Sequence, residues 1–137
     1  MNYGGVNMAN PYINVYMNNP TAGGTDGTAV SIDGDNTAPI SFELDASQNE
    51  SKTQTLAIRT GTGYTTSGDT VISDSGDTND RWKLSLDGTN WADSITITTA
   101  ITATNTIFYV KASAADTESP QTDRSVKINV QTTITAV

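Results

Sequence analysis

Apolar residues recur at every second position along most of this chain, and no segment carries a sustained stripe with a period of about 3.6 residues. Ile13, Val15 and Met17 alternate with Tyr12, Asn14 and Tyr16, and Ile40, Phe42 and Leu44 alternate with Ser41 and Glu43. Leu56 and Ile58 are flanked by Thr55, Ala57 and Arg59. Trp82, Leu84 and Leu86 alternate with Arg81, Lys83 and Ser85, and Phe108, Val110 and Ala112 alternate with Ile107, Tyr109 and Lys111. Shorter runs hold Val30 with Ile32 and Ile95 with Ile97. The series closes with Val126, Ile128, Val130 and Ile134 on the face opposite Lys127, Asn129 and Gln131. Strands with one dry and one wet face belong to antiparallel sheets, and a slip of one residue would turn each apolar set to water. The 24 threonines suit such half-wet pleated surfaces. The pattern predicts an all-β, antiparallel two-sheet β-sandwich with Phe42, Leu56, Ile58, Trp82, Leu84, Phe108, Val110, Val126, Ile128 and Val130 inside.

Turn residues punctuate the runs. Asp87-Gly88 between Trp82–Leu86 and Trp91–Ile97 predicts a two-residue hairpin, because both residues tolerate positive φ. That register places Trp91 opposite Leu84, and it points Asp93 inward opposite Trp82, where burial of a lone carboxylate is penalised. A hairpin that breaks after Trp91 relieves the conflict and leaves Trp91 half exposed. Gly23-Gly24-Thr25-Asp26-Gly27 and Asp33-Gly34-Asp35-Asn36 interrupt the N-terminal strands. The apolar pattern lapses near 33–38, which divides the chain into residues 1–35, an N-terminal extension or extra strand pair, and residues 36–137, a sandwich. In the first part Ile13, Val15 and Met17 form a candidate assembly strand, able to join a sheet edge of the same chain or of a neighbour.

The chain has no His and no Cys. This removes Ser-His and Cys-His nucleophilic sites, thiolate or imidazole zinc sites and disulfides. Seven Lys and Arg against fifteen Asp and Glu give a net charge of -8, and the bases are scattered rather than clustered as a nucleic-acid surface requires. No apolar run spans a bilayer, and residues 1–8 show no basic and apolar leader. Asp74, Asp77 and Asp80, with Asn79, are weak candidates for a Ca²⁺ cage, but they lack the Gly and bidentate Glu positions of an EF-hand loop, so the expectation is a solvated loop with no metal and no cofactor. The carboxylates at Glu43, Glu50 and Glu118 fit strand faces and turn tips better than an acid–base pair, and the chain is expected not to be an enzyme. Trp91, Tyr64 and Tyr109 form the candidate binding surface, since exposed aromatics add contact area at low entropic cost.

The stretch Asp80-Arg81-Trp82-Lys83-Leu84-Ser85-Leu86-Asp87-Gly88-Thr89-Asn90-Trp91 is followed by Ile107-Phe108-Tyr109-Val110-Lys111-Ala112 and Ser125-Val126-Lys127-Ile128-Asn129-Val130. This order of a Trp strand, a Tyr-Val strand and a final alternating strand resembles immunoglobulin-like β-sandwich domains of phage and prophage virion structural proteins, over residues 39–137. The chain departs from antibody domains in lacking both cysteines. The resemblance implies a non-enzymatic structural or decoration module of a capsid or tail, made in the bacterial cytoplasm and carried on the virion, whose partners are other virion proteins or identical copies. The alternative is a carbohydrate-binding or adhesive module of a surface protein, with a cell-surface glycan as its ligand.

Overall fold

The alternating runs form two sheets that enclose one core. The computed structural model describes residues 2–3, 12–30, 44, 50–75, 81–113 and 127–137. Among them are nine strands: β1 (Asn2–Tyr3), β2 (Ile13–Met17), β3 (Thr28–Ala29), β4 (Ser51–Thr60), β5 (Tyr64–Ser75), β6 (Trp82–Ser85), β7 (Ser94–Ile97), β8 (Thr106–Ser113) and β9 (Lys127–Ala136). One sheet has the order β1-β9-β5-β7 and the other β3-β2-β4-β8-β6. Every pairing is antiparallel except that of β1 with β9. The protein is an all-β, two-sheet sandwich.

Register follows the apolar parity. Val15 lies opposite Ile58, Leu56 opposite Phe108 and Leu84 opposite Val110, so the dry sides of β2, β4, β8 and β6 coincide. Ile72 and Ile128 face them from the other sheet, and all of these side chains are buried. Each fully buried aliphatic or phenyl side chain contributes about 1.5–3 kcal/mol relative to exposure. The core also takes Ile101, from the connection between β7 and β8. This segment crosses one end of the sandwich and is held by threonines: Ile101 N–H donates to Thr66 Oγ1 at 2.8 Å, Thr65 Oγ1 donates to the Ile101 carbonyl at 3.0 Å, and Thr60 N–H donates to the Thr102 carbonyl. Buried threonines thus satisfy a backbone that no ladder serves.

Several sequence expectations change here. No two-residue hairpin forms at Asp87-Gly88: β6 and β7 belong to different sheets, and a longer loop over residues 86–91 carries the chain across, pinned by a bridge between Leu84 and Ala92. Because β6 ends at Ser85, Leu86 leaves the strand parity and is 45% exposed. Trp82, at the other end of this short edge strand, is only partly buried against the core, as is Val130. Asp93 is exposed and its Oδ1 accepts from Lys83 Nζ at 2.6 Å, so no carboxylate is buried opposite Trp82. Phe42 and Val126 lie outside the described residues.

Residues 12–30 pack with the rest of the sandwich. Ile13, Val15 and Val30 belong to the same core as Leu56 and Ile58, and Met17 packs against it. In the single chain the candidate assembly strand therefore lies on the edge of β4, inside its own sheet.

Candidate functional site

Strand alternation that points Leu56, Phe108 and Leu84 inward points their neighbours outward. On the outer face of the five-stranded sheet the cross-strand rows are Tyr16, Ala57 and Ile107; Thr55, Tyr109 and Ser85; and Thr53, Lys111 and Lys83. Arg59 stands opposite Asn14, and its guanidinium lies 3.5 Å from the centroid of the diagonal neighbour Tyr16. Lys111 Nζ lies 4.6 Å from the centroid of Trp91, which reaches this face from the loop after β6. Both contacts use the negative face of an aromatic ring to hold a cation. Arg59, Lys83 and Lys111, three of the seven bases in an acidic chain, share this one face. Tyr16, Tyr109, Trp91 and Ile107 fill the space between them and are half-buried.

Two loops frame the face, each organised by an aspartate. Asp87 Oδ1 accepts from the N–H groups of Thr89 and Asn90, both at 2.8 Å, and from Ser85 Oγ at 2.9 Å, while Oδ2 accepts from Asn90 Nδ2 at 2.7 Å. The Asn90 and Thr89 N–H groups, then the Asn90 amide and the Ser85 hydroxyl, hold the Asp87 carboxyl far below its ordinary range. Gly88 takes φ +80° beside the Tyr109 ring, a backbone conformation that side chains rarely adopt. The Asp87-Gly88 turn signal was therefore real, but it marks an aspartate-capped loop.

The second loop, residues 18–27, is tied to the start of β8. Asp26 Oδ1 accepts from Thr21 N–H and Oδ2 from Thr21 Oγ1, both at 2.8 Å, and these two bonds lower the Asp26 pKa. Asn105, 5% exposed, exchanges backbone bonds with Gly23 and Gly24. Arg59 Nη1 donates to Asn105 Oδ1 at 2.7 Å and to the Asp26 carbonyl at 2.8 Å. The guanidinium that covers Tyr16 is thereby fixed at its edge.

Of the sequence candidates, Trp91 and Tyr109 share this face, and Tyr64 does not. Tyr64 opens β5 in the other sheet and meets Tyr12 edge to face, with ring centroids 4.9 Å apart. Asp74 lies on β5, where its N–H donates to the Asp93 carbonyl at 3.1 Å; Asp77 and Asp80 lie outside the described residues. Among the described residues no three His, Cys, Asp or Glu side chains gather as a metal site, and no helix is long and apolar enough to cross a membrane. Arg59, Lys111 and Asn105 were not singled out from sequence. The parity of Arg59 and Lys111 on the wet side of their strands was the available signal. No family model, curated protein or solved structure matches the chain.

Proposed function

We propose that the protein is a non-enzymatic structural or decoration module of a phage or prophage particle and works through protein–protein contacts. The observation that carries the reading is the outer face of the five-stranded sheet. It gathers Tyr16, Tyr109 and Trp91 with three cations on a molecule whose net charge is -8. Aromatic side chains and an arginine fixed on a rigid sheet are enriched in protein-contact surfaces. The immunoglobulin-like resemblance of residues 39–137 supplies the particle as the setting. Polar groups that could serve chemistry elsewhere are committed to the frame here: Asp26 and Asp87 hold loops, and Lys83 pairs with Asp93.

A glycan-binding module is the second reading, and it rests on Trp91 and Tyr109 sharing a face. Lys111 already occupies one side of the Trp91 ring, and Tyr64 stands on the other sheet, so the three rings do not make one sugar platform. The test is to purify particles from a host carrying the gene and ask whether the protein co-purifies. Lys111→Glu and Trp91→Ala should reduce its incorporation while leaving it folded. A protein absent from particles that binds a glycan array through Trp91 overturns the proposal in favour of the second reading.

A further inference from the structure

One end of the sandwich is set apart by what it lacks. Residues 12–14 at the start of β2, 60–68 where β4 passes to β5, 98–104 between β7 and β8, and 132–137 at the end of β9 meet there. Backbone bonds join them. Gly61 N–H donates to the Tyr12 carbonyl at 2.9 Å, Thr60 N–H to the Thr102 carbonyl at 2.8 Å, Thr66 N–H to the Ile101 carbonyl at 3.1 Å and Val137 N–H to the Gly63 carbonyl at 2.9 Å. None of the residues in these four segments is Asp, Glu, Lys or Arg, in a chain of net charge -8. At this end Tyr12 meets Tyr64. Tyr12 precedes β2 of the five-stranded sheet and Tyr64 opens β5 of the other, so the pair spans both layers. Their ring centroids are 4.9 Å apart and their planes stand at 86°, which makes a right-angled corner of two aromatic faces. Tyr12 is 45% exposed and Tyr64 is half-buried. The connection beside them shields little: Thr62 and Gly63 are exposed, and a Cβ on Gly63, at φ +92°, would meet nothing within 4 Å.

We propose that this corner binds a neutral saccharide. A sugar ring carries weakly positive C–H groups on its face and hydroxyls around its rim, and an aromatic ring offers a negative face. In a right-angled corner the sugar lays its C–H face on one tyrosine while its rim meets the other. The exposed threonines Thr62, Thr102, Thr104 and Thr135 stand around the same end and supply hydroxyls to the rim. The lack of charge selects among ligands. A sialylated, sulfated or phosphorylated ligand finds no cation in these segments, and the net charge of the chain repels it. A purely apolar ligand requires an enclosing pocket, whereas the corner lies open between hydroxyls. Two rings also fall well short of the area that a stable protein contact buries. What fits is a ring that is apolar on its face and hydrogen-bonding at its edge. A single corner of this kind binds weakly, and affinity grows where several copies meet a repeated glycan. The inference goes beyond the protein-contact reading. It also differs from the second reading above, whose rings, Trp91 and Tyr109, lie on the outer face of the five-stranded sheet.

The test places the full chain on an array of neutral oligosaccharides beside sialylated and uronic ones, where binding confined to the neutral set is expected. An NMR titration with the neutral oligosaccharide of strongest signal should then move the ring resonances of Tyr12 and Tyr64 and leave those of Trp91 in place. Tyr12→Ala and Tyr64→Ala should each weaken binding about tenfold. Tyr12→Phe keeps the ring and should retain most of the affinity, and Trp91→Ala should have no effect. Thermal melts close to the parent show that a variant is folded. If Tyr64→Ala does not fold, the two variants of the half-exposed Tyr12 decide the matter. No signal from any neutral saccharide overturns the inference, and so does a preference for acidic glycans. Binding that is lost in Trp91→Ala and kept in Tyr12→Ala overturns it as well, because the sugar would then sit on the other face. Particle incorporation is a separate readout: a protein that enters particles and binds no neutral saccharide removes the Tyr12–Tyr64 site and leaves the proposed function standing.

Discussion

Asn105 Nδ2 donates to the main-chain carbonyl of Thr21 at 3.0 Å across 84 positions of sequence, and the same nitrogen reaches Asp26 Oδ1 at 3.0 Å and the Asp26 carbonyl at 3.2 Å. One buried amide thus closes the loop between β2 and β3 onto the start of β8. Its oxygen meanwhile holds the guanidinium that lies over Tyr16. The loop, the sheet and the aromatic–cationic face are one mechanical unit.

Asn105→Ala removes the side chain on which these groups converge and leaves Arg59 and the Thr21 carbonyl short of partners. The expected cost is about 1–3 kcal/mol, read by chemical denaturation. Hydrogen exchange at the Gly23 amide, which donates to the Asn105 carbonyl at 3.0 Å, should accelerate as the loop loosens. Unchanged stability with unchanged protection at Gly23 would show that the loop is held by other contacts.

Core truncations should follow burial in the structure rather than side-chain size. Phe108 is fully buried opposite Leu56, and Phe108→Ala should cost about 3–5 kcal/mol. Trp82 is the larger side chain but sits at the end of an edge strand and is partly buried, so Trp82→Ala should cost less than Phe108→Ala. Denaturant midpoints of the two variants compared with the parent check the order, and the reverse order would mean that Trp82 anchors the sandwich.

Asp87 should give the protein a dependence on acid. Its carboxylate accepts four hydrogen bonds in the folded loop, which lowers its pKa from the ordinary 3.8. A carboxylate with a depressed folded pKa contributes stability above its unfolded pKa and loses it as pH falls toward the folded value. The contribution of Asp87 should therefore be constant near neutral pH and fade below about pH 4. Asp87→Ala should lower the melting temperature at neutral pH, and the difference from the parent should shrink as pH falls through the acid range. A difference independent of pH would mean that the loop does not depend on the charge of Asp87.

How far the sequence carried the fold can be seen residue by residue. Leu56, Ile58, Leu84, Phe108, Val110 and Ile128 sit in long alternating runs, where parity leaves only one side for the core, and all are buried. Ile101 is also fully buried, yet it lies in a connection where threonine hydroxyls set the geometry, and no periodicity marks it. The Asp87-Gly88 signal reported that the chain turns. Whether it returned in the same sheet depended on the pairing of β7 with β5, a tertiary contact. On the outer face, Tyr109 was visible as an aromatic of the wet side, whereas the hairpin register turned Trp91 inward opposite Leu84 and only a break after Trp91 left it half exposed. Lys111 becomes a partner of Trp91 only through the path of the loop after β6, and Tyr64 was drawn away because β5 belongs to the other sheet. Contacts as distant as Asn105 with Thr21 leave no local pattern.

The N-terminal strand offers the sharpest stability test. Ile13 and Val15 are 5% and 1% exposed and Val30 is 6% exposed, so a chain lacking residues 1–35 loses three core side chains. The loss also uncovers β4 from Ala57 to Thr60, which β2 now covers, and bares an unpaired edge beside Leu56 and Ile58. Ile13→Ala should cost about 2–5 kcal/mol, and the truncated chain 36–137 should fail to melt cooperatively or should aggregate through the bared edge. Deletion of residues 1–11 should be milder, because among the described residues β1 pairs with β9 at only two positions and β2 stays in place. Circular dichroism melts of the three proteins separate these outcomes. A chain 36–137 that melts cooperatively, with β-sheet dichroism like the parent, would show that β2 is dispensable to the sandwich and available to join another molecule.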